Sequence, residues 1–88
     1  MRILIPSLII VKADNFKMKD KRLEKLGFNI KVERLRKKLS QAKLAEMANI
    51  SMESVQKIET GKQTPSVFVF FDIQKDLGVP VETLYQEV

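Results

Sequence analysis

The stretch that decides the fold is LSQAKLAEMANISMESVQKIETGKQTPS, which covers residues 39–66 of the 88-residue chain. Ser40 stands where a helix N-cap belongs, because its hydroxyl can accept a hydrogen bond from an early backbone N–H. Apolar residues from Leu44 to Ala48 follow at helical spacing. The pattern predicts a short helix over residues 40–48.

A second short helix follows after a tight corner. Asn49 begins the corner, and Asn tolerates a left-handed backbone better than most residues with a side chain. Ser51 offers another N-cap, and a helix is predicted over residues 51–60. Val55 and Ile58 are three residues apart and should face the core, which turns the polar side of this helix outward. Two short helices joined by such a turn have the geometry of a helix-turn-helix.

Helices also flank this pair. Upstream, residues 21–37 are predicted to form a helix, because one stripe of the sequence repeats at helical spacing: Leu23, Leu26, Ile30 and Arg34. Downstream, Gly61 can adopt the positive φ that ends many helices, and Pro65 prevents the same helix from continuing.

Ser66 can cap the next helix, which is predicted over residues 66–76. Its apolar stripe is interpreted as core and consists of Val67, Phe70, Phe71 and Ile73. A last short helix is predicted after Pro80, with Val81, Leu84 and Tyr85 as its apolar residues. The expected fold is all-α, with five helices in one domain that covers residues 21–88.

Residues 1–20 are predicted to be an extension of this domain. The apolar run at residues 3–11 contains Pro6 and is too short to span a membrane as a helix, and no secretory signal pattern is visible, so a cytoplasmic location is expected. Its β-branched residues favour a strand within residues 2–11, paired with the same segment of a second chain, while a disordered leader is an equal alternative. Residues 12–19 have the composition of a polar linker, and Met18 is an alternative start.

Composition restricts the function classes. The formal charge of +5 and the pI near 9.6 suit a polyanionic partner. Residues 12–43 hold twelve Lys and Arg against four Asp and Glu, whereas residues 44–88 hold three against seven. The chain has no Cys and no His, which excludes thiol nucleophiles, imidazole bases and the usual zinc sites. We expect no metal, no cofactor and no enzymatic activity, and we place Asp72 and Asp76 on a solvated helix face.

Further residues at fixed spacing carry a family resemblance: LGFNI at 26–30, Arg34, LSQAKLA at 39–45, NIS at 49–51, Val55, IETGK at 58–62, Pro65 and Ser66, LGV at 77–79, Val81 and Leu84. In this order they resemble the Cro/repressor helix-turn-helix family of phages and bacteria. The resemblance implies a five-helix, lambda-repressor-like fold. It also implies a sequence-specific transcriptional regulator, a homodimeric repressor that reads double-stranded operator DNA in the major groove with the helix at 51–60.

The resemblance also implies roles for individual residues. Contacts to DNA bases are expected from Met52, Glu53, Ser54 and Lys57. Contacts to DNA phosphates are expected from Gln41, Lys43, Gln56 and Lys62. A structural ion pair is expected between Arg34 and Glu59. The plainer interpretations are helix capping for Gln41 and solvated surface positions for the others.

The chain departs from the family pattern at three positions. Lys38 stands where the family usually has Gly, so the turn between the first two helices must form without the conformational freedom of glycine. Glu33 stands where the family usually has an apolar residue. Glu53 places a negative charge against the phosphates, so non-specific affinity would depend on Lys43, Lys62 and the basic first helix.

One alternative function comes from a different class. The same fold could serve as an antitoxin that binds a toxin, or as another protein-interaction module, and the apolar segment near the N-terminus keeps this alternative open. Salt-dependent binding to duplex DNA would favour the regulator, whereas a tight protein partner without DNA binding would favour the interaction module.

Overall fold

The computed structural model describes residues 20–88, which form five helices and no strand. The helices are α1 (Lys21–Arg36), α2 (Gln41–Ala48), α3 (Met52–Glu59), α4 (Val67–Leu77) and α5 (Val81–Leu84). The predicted all-α, five-helix class is confirmed, and the ends of the first four helices agree with the predicted ends to within one residue. The strand predicted within residues 2–11 lies outside the described residues.

Serine side chains start three of the helices. The hydroxyl oxygens of Ser40, Ser51 and Ser66 accept hydrogen bonds from the backbone N–H three residues later, at 2.9, 3.0 and 3.1 Å. Each cap satisfies an N–H that has no partner within its helix and is typically worth about 1 kcal/mol. These three residues therefore determine where α2, α3 and α4 begin, as the sequence predicted.

Left-handed residues make the corners between the helices. Asn49 has φ 59° after α2, Gly61 has φ 76° after α3 and Gly78 has φ 68° after α4. Lys38, between α1 and α2, also has a positive φ of 58°. An L-residue in this region costs roughly 1–2 kcal/mol relative to the right-handed helical region, so the chain retains the turn without the glycine that would favour it.

The core is formed where the inner faces of all five helices meet. Helix α3 packs against α1 and α2, α4 packs against α2, and α5 packs against α1. The largest fully buried side chains are Ile30, Leu44, Val55, Ile73, Leu77 and Leu84. Gly27 allows α1 to approach the end of α3, because a Cβ at this position would overlap the carbonyl oxygen of Ile58.

The predicted core stripe of α4 is right for Ile73 and Phe70 and wrong for Val67 and Phe71. Ile73 is buried, but Phe70 is only half-buried, and Val67 and Phe71 are exposed. Ile73 and Leu77, four residues apart, form the fully buried part of the inner face of α4, and the partly buried Val69 and Phe70 pack against the core in the preceding turns. An apolar run that continues around a helix shows no inner side by periodicity alone.

A buried amide joins α5 to α1. The Nδ2 atom of Asn29 donates to the carbonyl oxygens of Leu84 and Gln86, both at 2.9 Å. Asn29 lies on the buried side of α1, between Leu26 and Ile30, and its two hydrogen bonds offset the cost of burying a polar group. No helix within residues 20–88 is long and apolar enough to cross a membrane.

Candidate nucleic-acid interface

Helix α3 divides into an inner and an outer face. Val55 and Ile58 are almost completely buried and anchor the helix to α1 and α2, as predicted. The outer face carries exposed side chains at i, i+1, i+4 and i+5: Met52, Glu53, Gln56 and Lys57. A polar face of this kind on a two-turn helix can enter the major groove of B-DNA.

Two of the predicted base-contacting residues are paired with each other. The Nζ atom of Lys57 lies 3.4 Å from a carboxylate oxygen of Glu53, across one turn of α3. Both side chains are largely exposed, so the pair contributes little to stability. The outer face thus carries one strong donor and one strong acceptor side by side, without net charge from this pair.

Ser54 is the predicted base-contacting residue with the least access to a ligand. It is half-buried, its backbone N–H donates to the hydroxyl of Ser51 at 3.0 Å, and its own hydroxyl accepts from the same group at 3.0 Å. Both polar groups of Ser54 therefore take part in the start of α3. Its predicted base contact requires the hydroxyl proton, which this arrangement leaves available.

A buried ion pair fixes α3 to α1. The Nε atom of Arg34 donates to Glu59 at 2.6 Å and one terminal nitrogen donates to the other carboxylate oxygen at 3.1 Å. The remaining nitrogen donates to the carbonyl oxygen of Leu39 at 2.8 Å. The side chains of the pair are only 7% and 1% exposed. The Arg34–Glu59 pair expected from the family resemblance is present, with bidentate geometry that fixes relative orientation.

Gln41 extends this pair to the protein surface. Its side-chain amide donates to Glu59 at 3.0 Å, and its amide oxygen accepts from the amide of Gln56 at 3.4 Å. The predicted phosphate-contacting residues Gln41 and Gln56 therefore meet at the junction of the first turn of α2 with the outer face of α3. The Gln41–Glu59 contact could not be predicted, because no local sequence pattern connects residues from two helices.

The two predicted phosphate-contacting lysines are exposed. The Nζ atom of Lys43 lies 3.4 Å from a carboxylate oxygen of Glu46, on the same helix α2. The backbone N–H of Lys62 donates to the carbonyl oxygen of Lys57 at 2.8 Å, so this lysine follows directly from the last turn of α3. Among residues 20–88, no group of three or more acidic residues is placed to hold a metal ion.

Comparisons with known proteins identify this arrangement. The profile of the helix-turn-helix family, of the Cro/C1 type, matches residues 30–84. The chain belongs to the Cro/C1-type helix-turn-helix family. The crystal structure of the restriction-modification controller protein C.AhdI from Aeromonas hydrophila is similar to this chain, with a TM-score of 0.71 and 25% sequence identity over 74% of this chain and 98% of that chain. No curated protein sequence gives a significant match.

Membership of the Cro/C1-type family establishes the general function. The chain is a DNA-binding transcriptional regulator and not an enzyme. In this family member, α2 and α3 are the helix-turn-helix pair, and the Arg34–Glu59 pair together with Gln41 fixes the position of α3. The geometry brings Gln41 and Gln56 together and pairs Glu53 with Lys57, whereas Lys43 and Lys62 lie apart from these contacts.

Proposed function

We propose that this protein is a homodimeric repressor that binds a pseudo-palindromic operator and reads it with α3 in the major groove. The observation that carries the proposal is the outer face of α3, where a paired Glu53 and Lys57 stand exposed on a helix held by a buried ion pair. A fixed helix presents these side chains in one orientation, which direct readout of base edges requires.

The Glu53–Lys57 pair suggests which bases are read. On entering the groove, the two side chains exchange their mutual contact for contacts with bases. Lys57 can donate to the O6 and N7 atoms of guanine, and Glu53 can accept from the N4 amino group of cytosine. Because the two residues are one helical turn apart, we expect G·C pairs at neighbouring positions of each half-site. Met52 can contact a thymine methyl group, and Ser54 can contact either base type.

Phosphate contacts would position the helix without reading sequence. We assign this role to Gln41 and Gln56 at the α2–α3 junction and to Lys43 and Lys62 on either side of it. The N-terminus of α2 favours an anion, because its first N–H groups point outward along the helix axis. Lys62 is attached to the last turn of α3, so a phosphate bound there would fix the depth of insertion.

Dimerisation supplies the specificity that one short helix lacks, since two half-sites double the number of base pairs read. Among the apolar residues of the last helix, Leu84 is fully buried and belongs to the core, so it is not available to a partner chain. The exposed start of α4 is the better surface. Phe68 is 79% exposed there, with Val67 and Phe71 beside it, and exposed apolar surfaces of this kind usually mark contacts with another protein.

The proposal is tested by selecting operators from random duplex DNA and comparing two lysine variants. Lys57→Ala should change the preferred base at one position of each half-site, by about 1–3 kcal/mol. Lys62→Ala should weaken binding to all sequences equally and reduce the slope of log K against log salt by about one per half-site. An unchanged sequence preference for Lys57→Ala would show that α3 does not read bases here.

The alternative role as an antitoxin or interaction module remains a prediction. A protein that co-purifies tightly with the chain, together with no salt-dependent DNA binding, would support it. The repressor proposal includes a cytoplasmic location in a bacterial cell, because the operator has to be accessible to the protein.

A further inference from the structure

A groove of about 300 Å³ lies between the start of α1, the loop before α4 and the C-terminal residues. Its apolar walls are formed by Leu23, Leu26, Tyr85 and Val88. Asp20 and Arg22 line one rim, where the carboxylate of Asp20 accepts a hydrogen bond from Arg22 at 2.9 Å. The groove is thus apolar inside and polar at the end where α1 begins.

One wall of this groove, the segment around Tyr85, is tied to α1 by hydrogen bonds. The hydrogen bonds of Asn29 to the carbonyl oxygens of Leu84 and Gln86 hold the backbone on both sides of Tyr85. The ring of Tyr85 nevertheless remains 57% exposed, and Leu23 and Val88 are only half-buried. The exposed apolar surface of these side chains is therefore available to another apolar segment.

The chain itself carries such a segment directly before α1. Residues 3–11 read ILIPSLIIV, with seven aliphatic residues and no charge. Contact with an apolar surface would stabilise these side chains by roughly 25 cal/mol per Å² removed from water. The eight residues from 12 to 19 separate this segment from Asp20, which lines the groove, and a chain of this length can span up to about 26–29 Å.

We propose that the apolar segment at residues 3–11 docks into this groove of its own chain and covers Tyr85. A short connection gives the segment an effective concentration in the millimolar range at the groove, which favours docking within one chain over docking between chains. The groove is formed by α1, the loop before α4 and the C-terminal residues, and it does not include the outer face of α3. The proposal therefore stands independently of how DNA is read.

Tyr85 provides a direct measurement, because it is the only Tyr and the chain has no Trp. Tyrosine fluorescence of the full chain therefore reports on this groove alone. We expect a variant with Leu8→Asp and Ile10→Asp to lose the protection of Tyr85 from acrylamide quenching. The matched control carries Ala13→Asp and Asn15→Asp in the linker, which adds the same charge, and it should quench like the unmodified chain. Equal quenching in all three proteins would overturn the proposal.

A crosslinking experiment avoids reliance on disruptive variants, and it is unambiguous because the chain has no Cys. With Ile9→Cys and Thr64→Cys, we expect an intramolecular disulfide at low protein concentration, because Thr64 lines the groove. The control pairs Ile9→Cys with Asp72→Cys, at an exposed position of α4 that does not line the groove. Equal crosslinking to both positions, or a crosslink that forms only between chains, would contradict docking within one chain.

Discussion

Glu59 and Glu53 lie on the same helix, and their surroundings decide what each contributes. Glu59 neutralises a guanidinium that is only 7% exposed, whereas Glu53 is 74% exposed beside Lys57. We expect Glu59→Ala to lower the free energy of unfolding by about 3–5 kcal/mol, because it leaves a buried charge without a partner. Glu53→Ala should cost no more than about 0.5 kcal/mol. Urea denaturation measures both, and similar small losses would contradict the structural role of the ion pair.

Glu53→Ala also separates two functions of the same side chain. If Glu53 only repels phosphates, its removal should strengthen binding to every DNA sequence. If it accepts from cytosine, its removal should reduce the preference at one position of the half-site by about 1–3 kcal/mol. Binding assays on the selected operator and on the same operator with that base pair changed measure the difference. Because Glu53→Ala barely affects folding, a change in preference is attributable to the interface.

Asp76 departs from the solvated position that sequence analysis assigned to it. One of its carboxylate oxygens is buried without a hydrogen-bond partner within the described part of the chain. Burial raises the pKa of the Asp76 carboxyl, and the negative charge of Asp72 adds to the rise. The folded state therefore binds a proton here more tightly than the unfolded state, and this stabilisation is lost as the pH rises through the raised pKa.

The consequence is a stabilising substitution. Asp76→Ala should raise the free energy of unfolding at pH 7, and the gain should diminish as the pH falls towards the ordinary carboxyl value of 3.8. Asp72→Ala is the matched control, because it removes the same charge from the same helix at an exposed position, and it should reproduce only the smaller part of the gain that comes from charge repulsion. Thermal unfolding at several pH values measures both, and parallel pH profiles for the two variants would refute the role of burial at Asp76.

At the scale of helices and corners, the turn between α1 and α2 has a left-handed backbone conformation that its sequence does not favour. Lys38 and Asn49 have nearly the same φ, 58° and 59°, but only Asn tolerates this region well. Lys38→Gly should therefore stabilise the protein by roughly 0.5–1 kcal/mol, after the greater freedom of glycine in the unfolded chain is subtracted. Asn49→Gly should gain less. Chemical denaturation measures both, and an equal gain would show that side-chain identity at φ near 60° does not matter here.

Helix ends were more predictable from sequence than helix faces. Ser40, Ser51 and Ser66 each act on a backbone N–H three residues away, so a local pattern identifies them. The inner face of α4 depends on where α2 lies, and the run VFVFF at 67–71 is apolar all round. Its exposed residues could not be identified without the tertiary contacts.

In the candidate interface, too, local features were predictable from the sequence, whereas long-range contacts were not. The outward direction of α3 followed from the spacing of Val55 and Ile58, and the Arg34–Glu59 pair followed from the family resemblance. The hydrogen bonds of Gln41 to Glu59 and Gln56 were not predictable, since they join residues 18 and 15 positions apart. Long-range polar contacts of this kind depend on the packing of whole helices.

For the whole molecule, charge and apolar surface together favour binding to DNA as a dimer. Most of the positive charge lies in residues 12–43, before α3, and the outer face of α3 pairs its lysine with a glutamate. Electrostatic attraction from one such helix is weak. Two linked half-sites raise the affinity without any new contact within either half-site, so the proposed dimer would offset the modest charge of each α3 helix.

A substitution at the exposed start of α4 tests whether the protein binds DNA as a dimer. Phe68→Asp places a charge in the proposed interface and should produce a monomer, because burying an unpaired carboxylate between two chains is unfavourable. The loss of the second half-site should weaken operator binding by about 10²–10⁴-fold and reduce the salt slope by about half. Light scattering and DNA titration measure these effects. Phe28→Asp is the matched control, since Phe28 is 54% exposed on α1, and it should leave both the oligomeric state and the DNA affinity nearly unchanged. A Phe68→Asp protein that remains dimeric would place the interface elsewhere, whereas a monomeric one with undiminished affinity would show that half-sites are bound independently.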